Sequence, residues 1–184
     1  MKIIKKETAY EGKFLRVVNK VSVTDDNLQV IWETVERTNI FKEGIVAVIA
    51  LTKDNEFVLE RQWRAAIERH IIQLPAGLMD DRNESSEETA RRELQEETGY
   101  KASKLVPVMT APTNPVLSPL TALYYFAPEV EYVGGENRDA GEEMEIITVP
   151  KDSIGAFLLD LPADTEIDLR VPGIIRIVEA KGLL

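Results

Sequence analysis

SSEETARRELQEETGY, Ser85 to Tyr100, carries the most complete helix signature in the chain. Ser85 and Glu88 have the spacing of a capping box, in which side chain and backbone satisfy each other at a helix start. Acidic residues crowd the first turn, where the helix dipole favours them. Gly99 is placed to end the helix in a left-handed conformation. Ala90 and Leu94, at i and i+4, give an apolar stripe. On such a helix Glu93, Glu96 and Glu97 are three and four residues apart and share a face. Three carboxylates on one face repel one another unless a cation sits between them, and oxygen-only donors suit Mg²⁺ or Mn²⁺ rather than zinc. Arg92, four residues before Glu96, can pair with it. Acid-rich helix faces are also commonly just solvated, so context must decide.

Outward from this helix the chain reads as strands. Phe14–Val23 and Leu28–Arg37 are rich in β-branched and aromatic residues, and Thr24–Asn27 between them has turn composition, which predicts a hairpin. Ile45–Leu51 reads as a buried strand, Lys53–Glu56 as a turn and Phe57–Trp63 as the returning strand. Ile71–Gly77 reads as a strand ending in a Pro-Gly break. Strands are expected again at Leu105–Val108, Leu120–Ala127 and Glu145–Val149, and helices near Ile154–Leu159 and over Val171–Lys181. Mixed strands with two or three helices predict an α/β (α+β) sandwich with a mixed sheet, plus an N-terminal antiparallel β element. The expected division is 1–42 for that element and 43–184 for the main domain.

Composition narrows the function classes. The 184 residues are 44% hydrophobic, enough for a sizeable core. Acids outnumber bases 32 to 22, giving a net charge of −10, which argues against a general nucleic-acid binder. An anionic substrate is not drawn in by the global field, so any phosphate site must be local. Cysteine is absent, which excludes disulfides, zinc thiolates and thiol catalysis. A single histidine, His70, rules out a multi-histidine metal site. No apolar run is long enough to span a bilayer and no signal peptide is evident, so a soluble cytoplasmic protein without membrane partners is the default expectation.

The context of the helix supplies a longer pattern. Gly77 is followed by Glu84 and, seven residues on, by Arg92-Glu93-Leu94-Gln95-Glu96-Glu97-Thr98-Gly99-Tyr100. This resembles the Nudix box, with one departure: six residues rather than five separate Gly77 from Glu84. The extra residue falls in a stretch of loop composition, so the helix keeps its internal spacing. The resemblance implies a Nudix α/β/α sandwich. It further implies divalent-metal ligation, by Mg²⁺ or else Mn²⁺, through Glu93, Glu97, the nearby Glu96 and the backbone carbonyl of Ala76.

The flanks are similar to the ADP-ribose pyrophosphatase and nucleoside diphosphate sugar hydrolase branch of that family. Arg61-Gln62-Trp63-Arg64 runs towards Leu74-Pro75-Ala76-Gly77-Leu78, and Pro115 stands 15 residues beyond Tyr100. The branch often has Glu where Gln73 stands, and a small residue where Val116 stands. By this resemblance Arg64, Leu78 and Pro115 belong to the substrate site, with Arg64 on the phosphates. Ile31–Thr38 resembles a segment of ADP-sugar pyrophosphatases, which implies that Trp32 and Phe14 sandwich the base, Glu33 accepts from the adenine amino group and Arg37 binds across a homodimer formed by exchange of the N-terminal element. Phe14 and Trp32 could instead be core residues of the hairpin. The acidic loop Asp139–Pro150 corresponds to the one that supplies the base, with Glu142 the best match, Glu143 its neighbour and Glu96 a third possibility. The expected reaction is metal-assisted hydrolysis of ADP-ribose to AMP and ribose 5-phosphate. GDP-mannose or a broad range of such sugars is the alternative substrate, and a non-cutting ligand sensor the alternative class.

Overall fold

The computed structural model describes residues 1–40, 44–80, 83–138 and 143–184. The chain forms two compact units. The first contains Met1–Ile45, Leu78–Asn83 and Thr110–Ala122; the second contains Val46–Gly77, Glu84–Met109 and Leu123–Leu184.

In the first unit a three-stranded antiparallel sheet runs β1 (Lys2–Glu11), β2 (Leu15–Val23) and β3 (Gln29–Arg37), in that order. The predicted hairpin is β2–β3. Its turn is closed by Asn27 N–H donating to the Thr24 carbonyl, with Asn27 at φ 60°, a conformation asparagine tolerates better than most residues. The strand β1 goes beyond the sequence-based expectation. Its Lys-rich opening has no alternation of apolar and polar residues, and every residue in it is exposed, so pairing with β2 alone gives it its form.

A mixed sheet follows, of nine strands among the described residues. Its centre is the antiparallel group β4 (Ile45–Thr52), β5 (Glu56–Arg64) and β6 (Arg69–Gln73). β5 pairs along its length with β11 (Met144–Pro150), while its first part meets β4 and its second part β6. The expected Ile71–Gly77 strand is broken in two. β6 ends at Gln73, and Pro75, lacking an N–H, cannot continue the ladder; its carbonyl accepts from Val48 N–H at 2.9 Å. The chain re-enters as β7 (Ala76–Leu78), paired with β4. β8 (Tyr100–Lys101) and β9 (Val106–Pro112) pair with β10 (Thr121–Tyr132). β10 outlasts its predicted end at Ala127, because Glu129 takes φ 55° just after Pro128 and the strand resumes to meet β8. A short β12 (Thr165–Ile167) pairs parallel to β6.

The helices are α1 (Ser86–Thr98), α2 (Ile154–Leu159) and α3 (Arg170–Ala180). The second unit's core is built from β4 and β5 (Val46, Val48, Ile49, Phe57, Val58, Leu59), from Ala90 and Leu94 of α1, and from Val171, Ile174, Ile175 and Val178 of α3. These apolar positions recur at helical spacing in the helices and run almost unbroken in the strands, as expected of strands covered on both faces. The mixed sheet, the helices and the N-terminal antiparallel element agree with the predicted fold class.

Candidate active site

The site is assembled in the second unit, where α1 meets Ala76 and Gly77 at the start of β7. The capping box is formed: Glu88 N–H donates to Ser85 Oγ at 3.2 Å and Ser85 N–H to Glu88 Oε2 at 2.8 Å. Gly99, at φ 75°, closes the other end. Between these caps the acidic face divides. Glu97 continues the buried stripe of Ala90 and Leu94 and is only 7% exposed. Glu93 and Glu96 stand progressively further out, with side chains 16% and 34% exposed.

Each carboxylate has a defined partner. Ala76 N–H donates to Glu97 Oε2 at 2.9 Å. Glu93 lies directly over Gly77: a Cβ at that position would fall 2.0 Å from Glu93 Cδ. Arg92 Nη1 donates to Glu93 Oε1 and to Glu96 Oε2, both at 2.9 Å, while its Nε and Nη2 hold Glu84 at 3.0–3.2 Å. The expected Arg92–Glu96 pair is therefore present. Glu84 takes part despite the extra residue before it, for Thr89 Oγ1 also donates to it at 3.0 Å. Paired with three carboxylates, Arg92 is held charged more firmly than an ordinary arginine.

Behind Glu97 lies a residue that sequence reading passed over. Glu60, in the middle of β5, is fully buried and its side chain lies beside that of Glu97. Burial, and then the Glu60 charge beside it, push the Glu97 carboxyl up to about 10; burial also raises Glu60. A charged residue straight after Phe57-Val58-Leu59 in a strand otherwise reading as core was the available signal. Arg138 was also missed. Its Nε donates to the Glu97 carbonyl at 2.8 Å and its Nη1 to the Met144 carbonyl at 3.1 Å, so it ties the end of α1 to the start of β11.

Among the described residues no three acidic side chains form a ready-made cation cage, since Arg92 and Ala76 N–H take up the helix carboxylates. The chemistry of the site nonetheless fits a hard divalent cation. Its donors are oxygens, Glu60 Oε1 is buried with no hydrogen-bond partner among the described residues, and burial disfavours ionisation of both neighbouring acids, Glu60 and Glu97, a penalty that a cation beside them would offset.

Arg64, at the end of β5, donates through Nε and Nη2 to Gln73 Oε1 at 3.1 and 2.7 Å. Glu143 is exposed just before β11, and Glu142 lies outside the described residues. In the first unit Phe14 is 52% and Trp32 49% exposed, so neither is a core residue of the hairpin. The register pairs Arg37 with Leu15 and Glu33 with Asn19 on one face, while Trp32 opposite Lys20 takes the other. The turn that holds Pro115 is joined to β3 by Val35 N–H donating to the Leu117 carbonyl at 2.8 Å. Leu78 ends β7, half-buried.

A NUDIX domain model matches residues 42–166. The chain belongs to the Nudix family. It is accordingly a Nudix hydrolase, of the type that cuts pyrophosphate linkages, in a family that generally uses a divalent cation. Among relatives, the ADP-ribose pyrophosphatase of Bacillus subtilis (strain 168) is 31% identical over 150 residues, covering 80% of this chain and 77% of that protein. The methanol dehydrogenase activator of Bacillus methanolicus is 36% identical over 114 residues, covering 62% of this chain and 58% of its own length. A solved ADP compounds hydrolase superposes with a TM-score of 0.83 over 99% of this chain and 95% of its own, at 21% identity, and so shares the fold. The Nudix helix is thus α1, and the Nudix glycine over which Glu93 lies is Gly77.

Proposed function

We propose that this Nudix hydrolase cleaves the diphosphate bridge of a nucleoside diphosphate sugar, with ADP-ribose as substrate and AMP and ribose 5-phosphate as products. The observation that carries the reading is the set of helix carboxylates, Glu93, Glu96 and Glu97, held at the start of β7 by Arg92 and the Ala76 N–H. The name of the Bacillus subtilis relative supports the choice of sugar nucleotide.

Glu93 and Glu97, with the Ala76 carbonyl and Glu96 near by, would hold Mg²⁺, or Mn²⁺ in its place. When bound, such a cation lowers the pKa of water and offsets charge on the phosphates. Arg64 and Arg37 position the diphosphate by charge-assisted hydrogen bonds. Water oxygen bonds to one phosphorus, the bridging P–O bond breaks, and the proton passes to a carboxylate, Glu142 or its neighbours in role Glu143 and Glu96. Phe14 and Trp32 offer exposed aromatic faces for the base and Glu33 an acceptor for its amino group. Trp32 and Glu33 project from opposite faces of β3, so a base held by both requires a second copy of the sheet. This favours a homodimer.

The test is hydrolysis in ¹⁸O-labelled water across ADP-ribose, GDP-mannose and related sugars. ADP-ribose should be turned over fastest, with the label in one product only. Preference for GDP-mannose would replace the substrate assignment, and binding without turnover of any of them would replace the catalytic reading with that of a sensor.

A further inference from the structure

Glu60 is an acid in the middle of a core strand, with no exposed surface and one oxygen, Oε1, without a donor among the described residues. Such a group costs the fold stability, which makes its surroundings informative. The β5–β6 register sets Glu60 directly opposite Gln73. Gln73 Nε2 donates to Glu60 Oε2 at 3.0 Å and to Gln62 Oε1 at 3.1 Å. Those two acceptors use both N–H bonds of the carboxamide. Its oxygen must then face the other way, where it accepts both Nε and Nη2 of Arg64. A flipped amide would set its oxygen against the Glu60 and Gln62 oxygens and its NH₂ against the guanidinium, placing acceptor on acceptor and donor on donor.

We infer that Glu60 is a positioning residue: through the fixed sense of the Gln73 carboxamide it holds the Arg64 guanidinium in place at the end of β5. Among the described residues Arg64 Nη1 and one N–H of Nη2 meet no acceptor, which leaves them for a ligand. That this ligand is a diphosphate oxygen rests on the function proposed above; the relay itself rests on the hydrogen bonds alone.

The relay predicts that its acid can be moved by one strand. Glu60→Gln frees the Gln73 amide to turn over, so Arg64 loses its fixed acceptor. Gln73→Glu sets two carboxylates across from each other in a buried layer. In the double variant the new carboxamide on β5 donates to the new carboxylate on β6, which accepts Arg64 directly, and once the Gln62 amide turns its NH₂ to that carboxylate, donors again meet acceptors. The four proteins are compared by the ¹H–¹⁵N signal of the Arg64 Nε–H, identified by its loss in Arg64→Lys, and by KM and kcat for ADP-ribose. Glu60→Gln should shift and broaden that signal and raise KM roughly tenfold, the scale of a hydrogen bond to a charged group, with kcat much less affected. Gln73→Glu should do the same and also lower Tm. The double variant should regain the signal and a KM within about threefold of the starting protein, since coupled positions are not additive. An unmoved Arg64 signal in Glu60→Gln, or a double variant no better than the worse single one, would overturn the relay. If the unmodified protein hydrolyses no sugar nucleotide, the proposed substrate fails, and the Arg64 signal across the four proteins still decides the relay.

Discussion

Glu97 shows how one residue serves opposing demands. It occupies the next position of an apolar stripe, where Ala90 and Leu94 are fully buried, yet it carries a carboxyl in contact with a second buried acid. Raised to about 10, it stays protonated without a cation. The sign of the linkage follows: a group whose pKa is higher folded than unfolded adds stability below its unfolded pKa, and that stability is lost as pH rises towards the folded value. In metal-free buffer Tm should therefore decline between about pH 5 and pH 10, and Glu97→Gln should flatten the decline. Differential scanning calorimetry of both proteins at four or five pH values checks this; parallel curves would remove Glu97 as its source. The same variant should fold normally and lose most turnover, and added Mg²⁺ should raise Tm only where Glu97 is intact.

Among the elements, α1 and the start of β7 at Ala76–Gly77 act as one part. The capping box predicts that Ser85→Ala costs about 1 kcal/mol, or roughly 2–4 °C in Tm for a chain of this size, with turnover little changed. Gly77→Ala should do the reverse. Its Cβ would fall 2.0–2.4 Å from Cδ, Oε1 and Cγ of the Glu93 side chain, so the fold holds only if Glu93 is pushed aside. We expect hydrolysis to fall roughly 10- to 100-fold, the usual effect of disturbing how a metal-binding carboxylate is held, and Mn²⁺ binding followed by electron paramagnetic resonance to weaken with it. This part was legible in sequence because its signals are local: a cap, a stop, and acids at fixed spacing. The Ile71–Gly77 strand was legible only up to Pro75. Glu60 was legible only as a charged residue in a core strand, because a strand-period reading assigns a face to position 60 but cannot name Gln73 across the ladder or Glu97 beside it. The parity of Trp32 and Glu33 was open to inspection in sequence, but its consequence for a base site needs the register of a formed β2–β3 pair.

At the scale of the whole molecule, the first unit could not be delimited from sequence, since Leu78–Asn83 and Thr110–Ala122 join Met1–Ile45 through tertiary contacts that leave no local signature. Its sheet also exposes more apolar surface than a solitary three-stranded sheet tolerates. Ile3, Ile4, Tyr10, Phe14, Leu15, Ile31 and Trp32 are each at least 45% exposed. Ile31 and Trp32, adjacent on β3, open to opposite faces, so apolar side chains are exposed on both sides of the sheet, although Val18 and Ser22 on β2 are buried. Surfaces of this kind mark association sites, and the overall charge of −10 means that association must rest on apolar burial, not on attraction between copies. The protein should therefore sediment at about twice its chain mass of 20.7 kDa, with little sensitivity to salt. Ile31→Glu, which puts a charge on one face and leaves β-pairing possible, should shift it towards the monomer. If the base site needs two copies, KM should rise in that variant while the Tm of the second unit stays put. A species of single-chain mass at working concentration in the unmodified protein would show that the exposed sheet meets some other partner.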